Sequence, residues 1–349
     1  MDKFIKKDIE DFVATFSIKE KIEGTKFLIT GITGLIGSEL VHCLLALDSS
    51  YRIIAPVRNV AKAKAIFEDA ELLKITLIEC DLMSFDYSRI ENVDYVIHCA
   101  APTASRYFVE HPVETFNFIY QSTFRLLEFA KKAKPRSLVY LSSLEVYGII
   151  SDDSYEVTEE IQGNLDCLSV RSSYPMAKRA AECLCHLYAK EYGVNVKIAR
   201  LTQTTGAGIA KDDNRIIAQF ARLTALGKDI VLHSKGDSAR PYCYITDSIS
   251  AILYALLRGE IGEAYNICNA QTYISAYNMA KFLQKNFNSS IRIKIELNDN
   301  MGYAPTTKLR LSSQKLEQLG WKPTYGLREI FNNLIFYIQK NENIIRTNS

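Results

Sequence analysis

Lys26-Phe27-Leu28-Ile29-Thr30-Gly31-Ile32-Thr33-Gly34-Leu35-Ile36-Gly37 begins as a buried strand and ends in three glycines spaced G-x-x-G-x-x-G. A helical pattern then runs on to Leu47. Glycine permits a tight turn and lets backbone N–H groups come close to a pyrophosphate. The helix N-terminus that follows favours negative charge. Glycines at this spacing also merely close turns. The stretch gains its meaning from standing between the first strand and first helix of a repeating strand–helix pattern. Gly31, Thr33, Gly34, Leu35, Ile36 and Gly37 are therefore assigned to a dinucleotide-binding turn.

Outward from this turn, strand-like apolar runs at Tyr51–Val57, Ile75–Glu79, Tyr95–His98, Ser137–Leu141 and Val194–Ala199 alternate with helical patterns. The helices are expected at Ala61–Leu73, Pro112–Lys132 and Tyr174–Tyr192. Such alternation predicts an α/β fold: a doubly wound parallel sheet of Rossmann type, helices on both faces. Beyond Ala199 the alternation loosens. Helices are expected at Arg215–Leu226, Asp247–Leu257, Tyr277–Lys285, Ser313–Leu319 and Leu327–Lys340, and strands at Ile230–His233, Ala264–Cys268 and Ile291–Leu297. The expected division is a nucleotide domain over 24–200 and a mainly substrate-binding lobe over 201–349, with room for some segments to rejoin the main sheet. Ahead of both, residues 1–23 form a helical extension. Within it Phe4, Ile5, Ile9, Phe12, Val13 and Phe16 share one side of a helix spanning Asp2–Lys19.

Composition narrows the function classes. The 349 residues are 48% hydrophobic and 23% charged, enough for a substantial core. Lys plus Arg number 42 and Asp plus Glu 40, so no excess charge marks a nucleic-acid or membrane binder. The basic cluster Lys131-Lys132-Ala133-Lys134 falls at a helix end, where cations suit the macrodipole. No run approaches the roughly 20 apolar residues that cross a bilayer, and no secretory signal is seen, so a cytoplasmic protein is expected. Cys43, Cys80, Cys99, Cys167, Cys183, Cys185, Cys243 and Cys268 are scattered and read as buried thiols of a reduced compartment. Cys183 and Cys185 stand two apart on a helix and share no face, so no metal site is assigned.

The second strand ends Val57-Arg58-Asn59, without the acidic residue that would hold the ribose 2′-hydroxyl of NAD. Arg58 instead suits the 2′-phosphate of NADP, which favours NADP over NAD. Asp81 and Leu82, after the third strand, are placed beside the adenine. Ala100, Ala101 and Pro102, after the fourth, form a small-residue wall near the nicotinamide ribose. Tyr174 and Lys178 lie four apart at a helix start, one turn apart on one face. An ammonium beside a phenol favours phenolate and lowers the tyrosine pKa, giving a proton acceptor near neutral pH. Ser143 ends the fifth strand at the carboxyl edge, where ligands bind in such sheets.

Together these features resemble the extended short-chain dehydrogenases, the nucleotide-sugar epimerases, dehydratases and decarboxylases. The resemblance runs from Lys26 to about Ile335. It implies that Tyr174 is the catalytic base, that Lys178 positions it, and that Ser143 orients a sugar hydroxyl. It also implies a tightly bound NAD(P) that oxidises the sugar at C4 and usually returns the hydrogen later. His98-Cys99-Ala100-Ala101-Pro102-Thr103, Ser143-Leu144-Glu145-Val146-Tyr147-Gly148 and Arg171-Ser172-Ser173-Tyr174 look like the UDP-glucuronate decarboxylase branch. Glu145 matches a glutamate of decarboxylases and 4,6-dehydratases. Beside a 4-ketone it would take the C5 proton, or manage protonation after loss of carbon dioxide. Thr103, Gln203, Arg215 and Arg240 fall at substrate positions, the two arginines gripping the nucleotide diphosphate through their planar forks.

Three departures mark a divergent subgroup. Leu144 stands where many dTDP-glucose dehydratases have an acid. Gln203 replaces an asparagine, and Ile119 and Ser122 replace the asparagine and glycine of an N-x-x-G-T element that keeps Thr123. The expectation is a nucleotide-sugar lyase, a decarboxylase or 4,6-dehydratase, with a nucleotide-diphosphate sugar as ligand. A 4-epimerase, an NADPH-dependent reductase and a non-catalytic NAD(P)-sensing protein are the alternatives. Relatives dimerise through helices matching Pro112–Lys132 and Tyr174–Tyr192, so the resemblance also implies a homodimer.

Overall fold

The computed structural model describes residues 1–19, 22–298 and 305–341. Seven strands form one parallel sheet: β1 (Lys26–Thr30), β2 (Arg52–Val57), β3 (Ile75–Glu79), β4 (Tyr95–His98), β5 (Ser137–Ser143), β6 (Val196–Leu201) and β10 (Ala264–Ile267). Their order is β3-β2-β1-β4-β5-β6-β10. The order reverses between β1 and β4, and ligands bind at the carboxyl ends of strands beside such a switch point.

Alternation along each strand divides the core into two faces. Phe27, Ile29, Ile97, Val139, Leu141 and Ala199 pack with helix α2 (Leu35–Leu47) and helix α9 (Ile245–Arg258) on one side. Leu28, Val96, Leu138, Tyr140, Val196 and Ile198 face the other, against α6 (Pro112–Ala133) and α7 (Ser173–Tyr192). Both sides are covered, which is why the strands read as apolar runs and not as alternating ones.

The extension ahead of β1 folds as α1 (Lys3–Thr15), capped by the Asp2 side chain, which accepts from the Phe4 N–H at 2.8 Å. It packs on the same chain. Ile9 and Phe12 are buried, and the Tyr244 hydroxyl donates to Asp8 at 2.7 Å. Burial pushes the Asp8 carboxyl up to about 6. The expected helix over Ala61–Leu73 is two short ones, α3 (Val60–Ile66) and α4 (Asp69–Leu72). The chain breaks at Phe67, whose buried ring lies 5.0 Å from His42, and restarts where the Glu68 N–H donates to Glu71 at 3.0 Å.

The later part adds a three-stranded sheet in the order β11-β9-β7. It is built from β7 (Gln203–Thr205), β9 (Ala239–Tyr244) and β11 (Asn269–Ser275), none of which the apolar pattern had revealed. A parallel pair joins β8 (Ile230–Leu232) to β12 (Ile293–Ile295), shorter than the expected Ile291–Leu297. Helices α5 (Ser105–Glu110), α8 (Ile216–Ala225), α10 (Ala276–Asn286), α11 (Gln314–Glu317) and α12 (Leu327–Asn341) complete the described residues. Strand β10, from the later half, rejoins the main sheet beside β6. Cys43, Cys185, Cys243 and Cys268 are buried, but Cys167 and Cys183 are exposed, against expectation. Cys183 lies on the outer surface of α7, away from the face that packs on the sheet, and Cys167 lies in a surface turn. No helix among the described residues is long and apolar enough to cross a membrane.

Candidate active site

The site gathers at the carboxyl ends of β1, β4 and β5. Gly31 has φ +76°, and a Cβ there would stand 2.8 Å from the Ala100 backbone nitrogen. A Cβ on Gly37 would stand 2.2 Å from the Gly31 carbonyl oxygen, so α2 presses directly onto the turn. Any side chain at either position would force the turn open. Gly34 caps α2 without a side chain to satisfy the first-turn N–H groups, so the helix offers bare donors and its positive end there. This cradle fits a dinucleotide pyrophosphate.

Neighbouring strand ends shape its walls. Thr30 Oγ1 shares a 2.6 Å hydrogen bond with His98 Nδ1 and accepts from the Ala100 N–H at 3.2 Å. These contacts bind β4's exit to β1. Burial, aided by the Lys178 charge, pulls His98 down to about 3, so it stays neutral. Ala100, Ala101 and Pro102 are half-buried along the wall, and Thr103 is exposed at its end. Asp81 is exposed and accepts from the Met83 N–H at 3.0 Å, while Leu82 is buried. Arg58 is exposed at the end of β2.

Ser143, Glu145, Tyr174 and Lys178 come together. Ser143 ends β5, and its Oγ accepts from the Glu145 N–H at 3.2 Å, which fixes the turn Leu144–Tyr147. Tyr174, in the first turn of α7, stacks its ring on Phe108 at 5.1 Å. Burial drives its phenol well above the usual tyrosine range. The Glu145 charge pushes it further, and hydrogen bonding to Ser143 pulls it back.

The expected lowering of Tyr174 by Lys178 is therefore not found. Lys178 Nζ lies 5.8 Å from the Tyr174 ring centroid and donates to the Leu141 carbonyl at 2.6 Å. Burial lowers the Lys178 ammonium to about 8, against the opposing charge of Glu182.

Three contacts went unread in the sequence. Arg171 Nη2 lies 3.5 Å from Glu145 Oε1, and its guanidinium sits 5.0 Å over the Phe108 ring. Arg179 donates to the Val146 carbonyl at 2.6 Å and the Gly163 carbonyl at 2.8 Å. Arg200 pairs with Glu182 at 2.7 Å and donates to the Tyr147 hydroxyl at 3.0 Å. Helix α7 thus carries Tyr174 and Lys178 and also grips the turn that carries Glu145. The only signal was spacing: Arg179 and Glu182 follow Tyr174 by five and eight residues, the α7 face toward that turn.

The substrate positions are less uniform. Gln203 Oε1 and Thr205 Oγ1, two apart on β7, are buried without a partner among the described residues. Arg215 is engaged by its neighbours, with Asp213 at 2.5 Å and the Thr204 carbonyl at 2.5 Å. Arg240 is half-buried on β9. Asp247, seven residues further along the chain, accepts from the Thr324 and Tyr325 N–H groups at 3.0 Å and so ties down the chain ahead of α12.

The chain is 28% identical over 304 residues to UDP-glucuronic acid decarboxylase 3 of Arabidopsis thaliana, covering 87% of this chain and 86% of the relative. Its fold is similar to that of UDP-glucuronic acid 4-epimerase from Bacillus cereus in complex with NAD. That match has a TM-score of 0.75 at 23% identity, over 93% of this chain and 99% of the other. It is also similar to dTDP-glucose 4,6-dehydratase from Bacillus anthracis in complex with NAD, with a TM-score of 0.74 at 21% identity, over 92% and 98%. The sequence model of the NAD dependent epimerase/dehydratase family matches residues 27–268, where the glycine turn and the Ser143, Tyr174 and Lys178 cluster lie, and the chain belongs to that family.

Proposed function

We propose that this enzyme is a nucleotide-sugar lyase, a decarboxylase or 4,6-dehydratase acting through transient oxidation at C4. The observation that supports this reading is Glu145, two residues past Ser143, whose backbone N–H donates to Ser143 Oγ at 3.2 Å and whose charge raises the Tyr174 phenol. A carboxylate there has a task in a lyase and none in a 4-epimerase. Its counterpart relative, a UDP-glucuronic acid decarboxylase by name, supports the same branch.

In this reading Ser143 holds the sugar 4-hydroxyl and Tyr174 takes its proton. Lys178 supplies the local positive charge and, through Leu141, anchors the helix to β5. The chemistry that bound NAD(P) supplies is reversible two-electron oxidation at C4. Gly31, Thr33, Gly34, Leu35, Ile36 and Gly37 would hold its pyrophosphate, Asp81 and Leu82 its adenine side, and Ala100, Ala101 and Pro102 its nicotinamide side. Once C4 is a ketone, Glu145 manages the proton at C5. Gln203, with its unpaired buried oxygen, and Thr103 face the sugar, and Arg240 takes the diphosphate. Arg215 joins it only by leaving Asp213. Residues 24–200 then serve chiefly as the nucleotide domain and 201–349 chiefly as the substrate lobe.

Mass spectrometry of products from UDP-, dTDP-, CDP- and GDP-sugars tests the class. Loss of carbon dioxide or of water supports a lyase, and unchanged mass overturns it in favour of an epimerase.

For the cofactor we favour NADP, because Arg58 is exposed at the β2 end, where the 2′-phosphate would lie, and no acid stands there. Arg58→Ala is expected to weaken NADP binding by about 1.5–3 kcal/mol, the range of a charged hydrogen bond. NAD binding should change little. Isothermal titration with both cofactors checks this, and equal losses would overturn the preference. The NAD in both structural neighbours named above is a reason to run the comparison.

A homodimer through α6 and α7 accounts for their exposed Val113, Phe124, Leu187 and Tyr192 side chains. A cytoplasmic location goes with this reading. Sedimentation at micromolar concentration showing monomer alone would remove the dimer.

A further inference from the structure

Helix α1 lies ahead of the residues that the family model matches, and it packs on α2, the helix whose N-terminus forms the dinucleotide turn. Near its start, side-chain methyl carbons of Ile5 and Leu35 lie 3.6 Å and 3.4 Å from where a Cβ on Gly208 would stand. Ile5 therefore closes over the first residue of α2 and over the chain that follows β7. Past its other end, the Phe16 ring meets the Tyr254 ring of α9 edge-on at 6.1 Å, and Ser17 shares a 2.6 Å hydrogen bond with the Tyr254 hydroxyl.

Between these contacts two carboxyls are buried, Asp8 on α1 and Glu39 on α2. Tyr244 donates to Asp8 at 2.7 Å, but Glu39 Oε1 has no hydrogen-bond partner among the described residues. The cations of the two helices are placed elsewhere. Lys3, Lys6 and Lys7 are exposed, Lys6 lies 3.9 Å from Glu10, and Lys7 pairs with Asp11 at 2.7 Å. His42 pairs with Glu71 of α4 at 2.6 Å. The remaining neighbours bring no positive charge. Cys43 of α2 is a buried thiol, Tyr244 of β9 and Tyr325 are phenols stacked at 4.2 Å, and Asp247 of α9 is bonded to the Thr324 and Tyr325 N–H groups.

A buried carboxyl without a cation keeps its proton. Burial pushes Glu39 up to about 8, and the charges of Asp8 and Glu71 push the same way. Burial also raises Asp8, to about 6, in spite of the Tyr244 hydrogen bond. Undocked, both groups would return to the ordinary carboxylate range of about 4. The docked helix thus holds protons that the undocked one gives up. Each raised carboxyl weakens docking by up to about tenfold per pH unit above that range, until its docked value is passed.

We propose that α1 is a pH-sensitive latch on the cofactor helix: with Glu39 and Asp8 protonated it seals the outer side of the dinucleotide turn, and as they ionise their repulsion drives it off and lets the cofactor escape. The latch acts whichever sugar reaction follows, because it works on α2 and not on the substrate.

Hydrogen exchange of the full-length protein loaded with NAD(P)H, corrected for intrinsic rates, reads the latch from about pH 6 to about pH 9. Protection of the α1 amides should fall roughly 10- to 100-fold across this span while that of α6 holds. Release of the cofactor, followed by the loss of its bound fluorescence, should quicken in step. Glu39→Gln removes the charge at nearly constant size, and Glu39→Met does so with an apolar chain. In either variant the protection of α1 and the release rate should lose most of their pH dependence. Wild-type α1 that keeps its protection across the span, or variants that keep the wild-type slope, would overturn the proposal. So would α1 and α6 opening together, the mark of global unfolding, or α1 opening without faster release of the cofactor.

Discussion

Tyr174→Phe leaves a folded, cofactor-competent protein whose turnover falls by roughly 10²–10⁴-fold, the usual worth of positioned acid–base catalysis. The substitution removes one hydroxyl and keeps the ring. That ring is what packs: it is buried, stacks on Phe108 and belongs to the core between the sheet and α6 and α7. Thermal melting should therefore stay close to wild type. The chemistry should not, because the hydroxyl removed is the one that hydrogen-bonds to Ser143. Burial and the Glu145 charge hold the phenol of the free protein high, so its deprotonation depends on the proton moving in concert with the bond change at C4. Steady-state rates on the purified variant check this, with circular dichroism as the folding control. Near-normal turnover would place the base elsewhere.

Glu145→Gln separates the two halves of the reaction. In the proposed reading C4 oxidation relies on Ser143, Tyr174 and Lys178, all of which the substitution leaves in place. The later proton transfer at C5 relies on Glu145. A single-turnover mix should therefore still form the 4-keto sugar, while final product appears roughly 10²-fold or more slowly. The keto sugar can be trapped with borodeuteride and weighed. The variant also removes the negative charge that raises the Tyr174 phenol, so the pH profile of C4 oxidation should move toward lower pH. Near-normal turnover with product of unchanged mass would sink the lyase reading and leave an epimerase.

The main sheet was legible because its strands form apolar runs, with β1 running straight into Gly31 and β5 ending at Ser143. β3 and β4 match their expected limits residue for residue. The glycine turn was equally legible, since at Gly31 and Gly37 only backbone could fit. The small sheet was not. Strand β9 runs Ala239-Arg240-Pro241-Tyr242-Cys243-Tyr244, with a proline and no simple alternation, and β11 departs from regular pairing between Asn269 and Ile274. Tertiary contacts, not local pattern, make them strands. At the site, the residue types were readable but their partners were not. Nothing in the spacing of Lys178 says that its ammonium turns to the Leu141 carbonyl. Nor does sequence distance link Arg171 to Glu145, since the intervening loop decides whether they meet.

The return of β10 to the main sheet governs how this chain must be made. Until residue 267 is in place, β6 is the sheet's outer strand, with its apolar Val196, Ile198 and Ala199 and a row of unpaired backbone groups open to any passing strand. A nascent chain that has delivered β1 to β6 therefore carries a finished cofactor turn on an unfinished sheet. Tyr244, which anchors Asp8 of the first helix, also arrives only in the later half. Both the outer edge of the sheet at β6 and the anchoring of the first helix thus wait on residues 244–267, and the main sheet closes only after the chain has passed them.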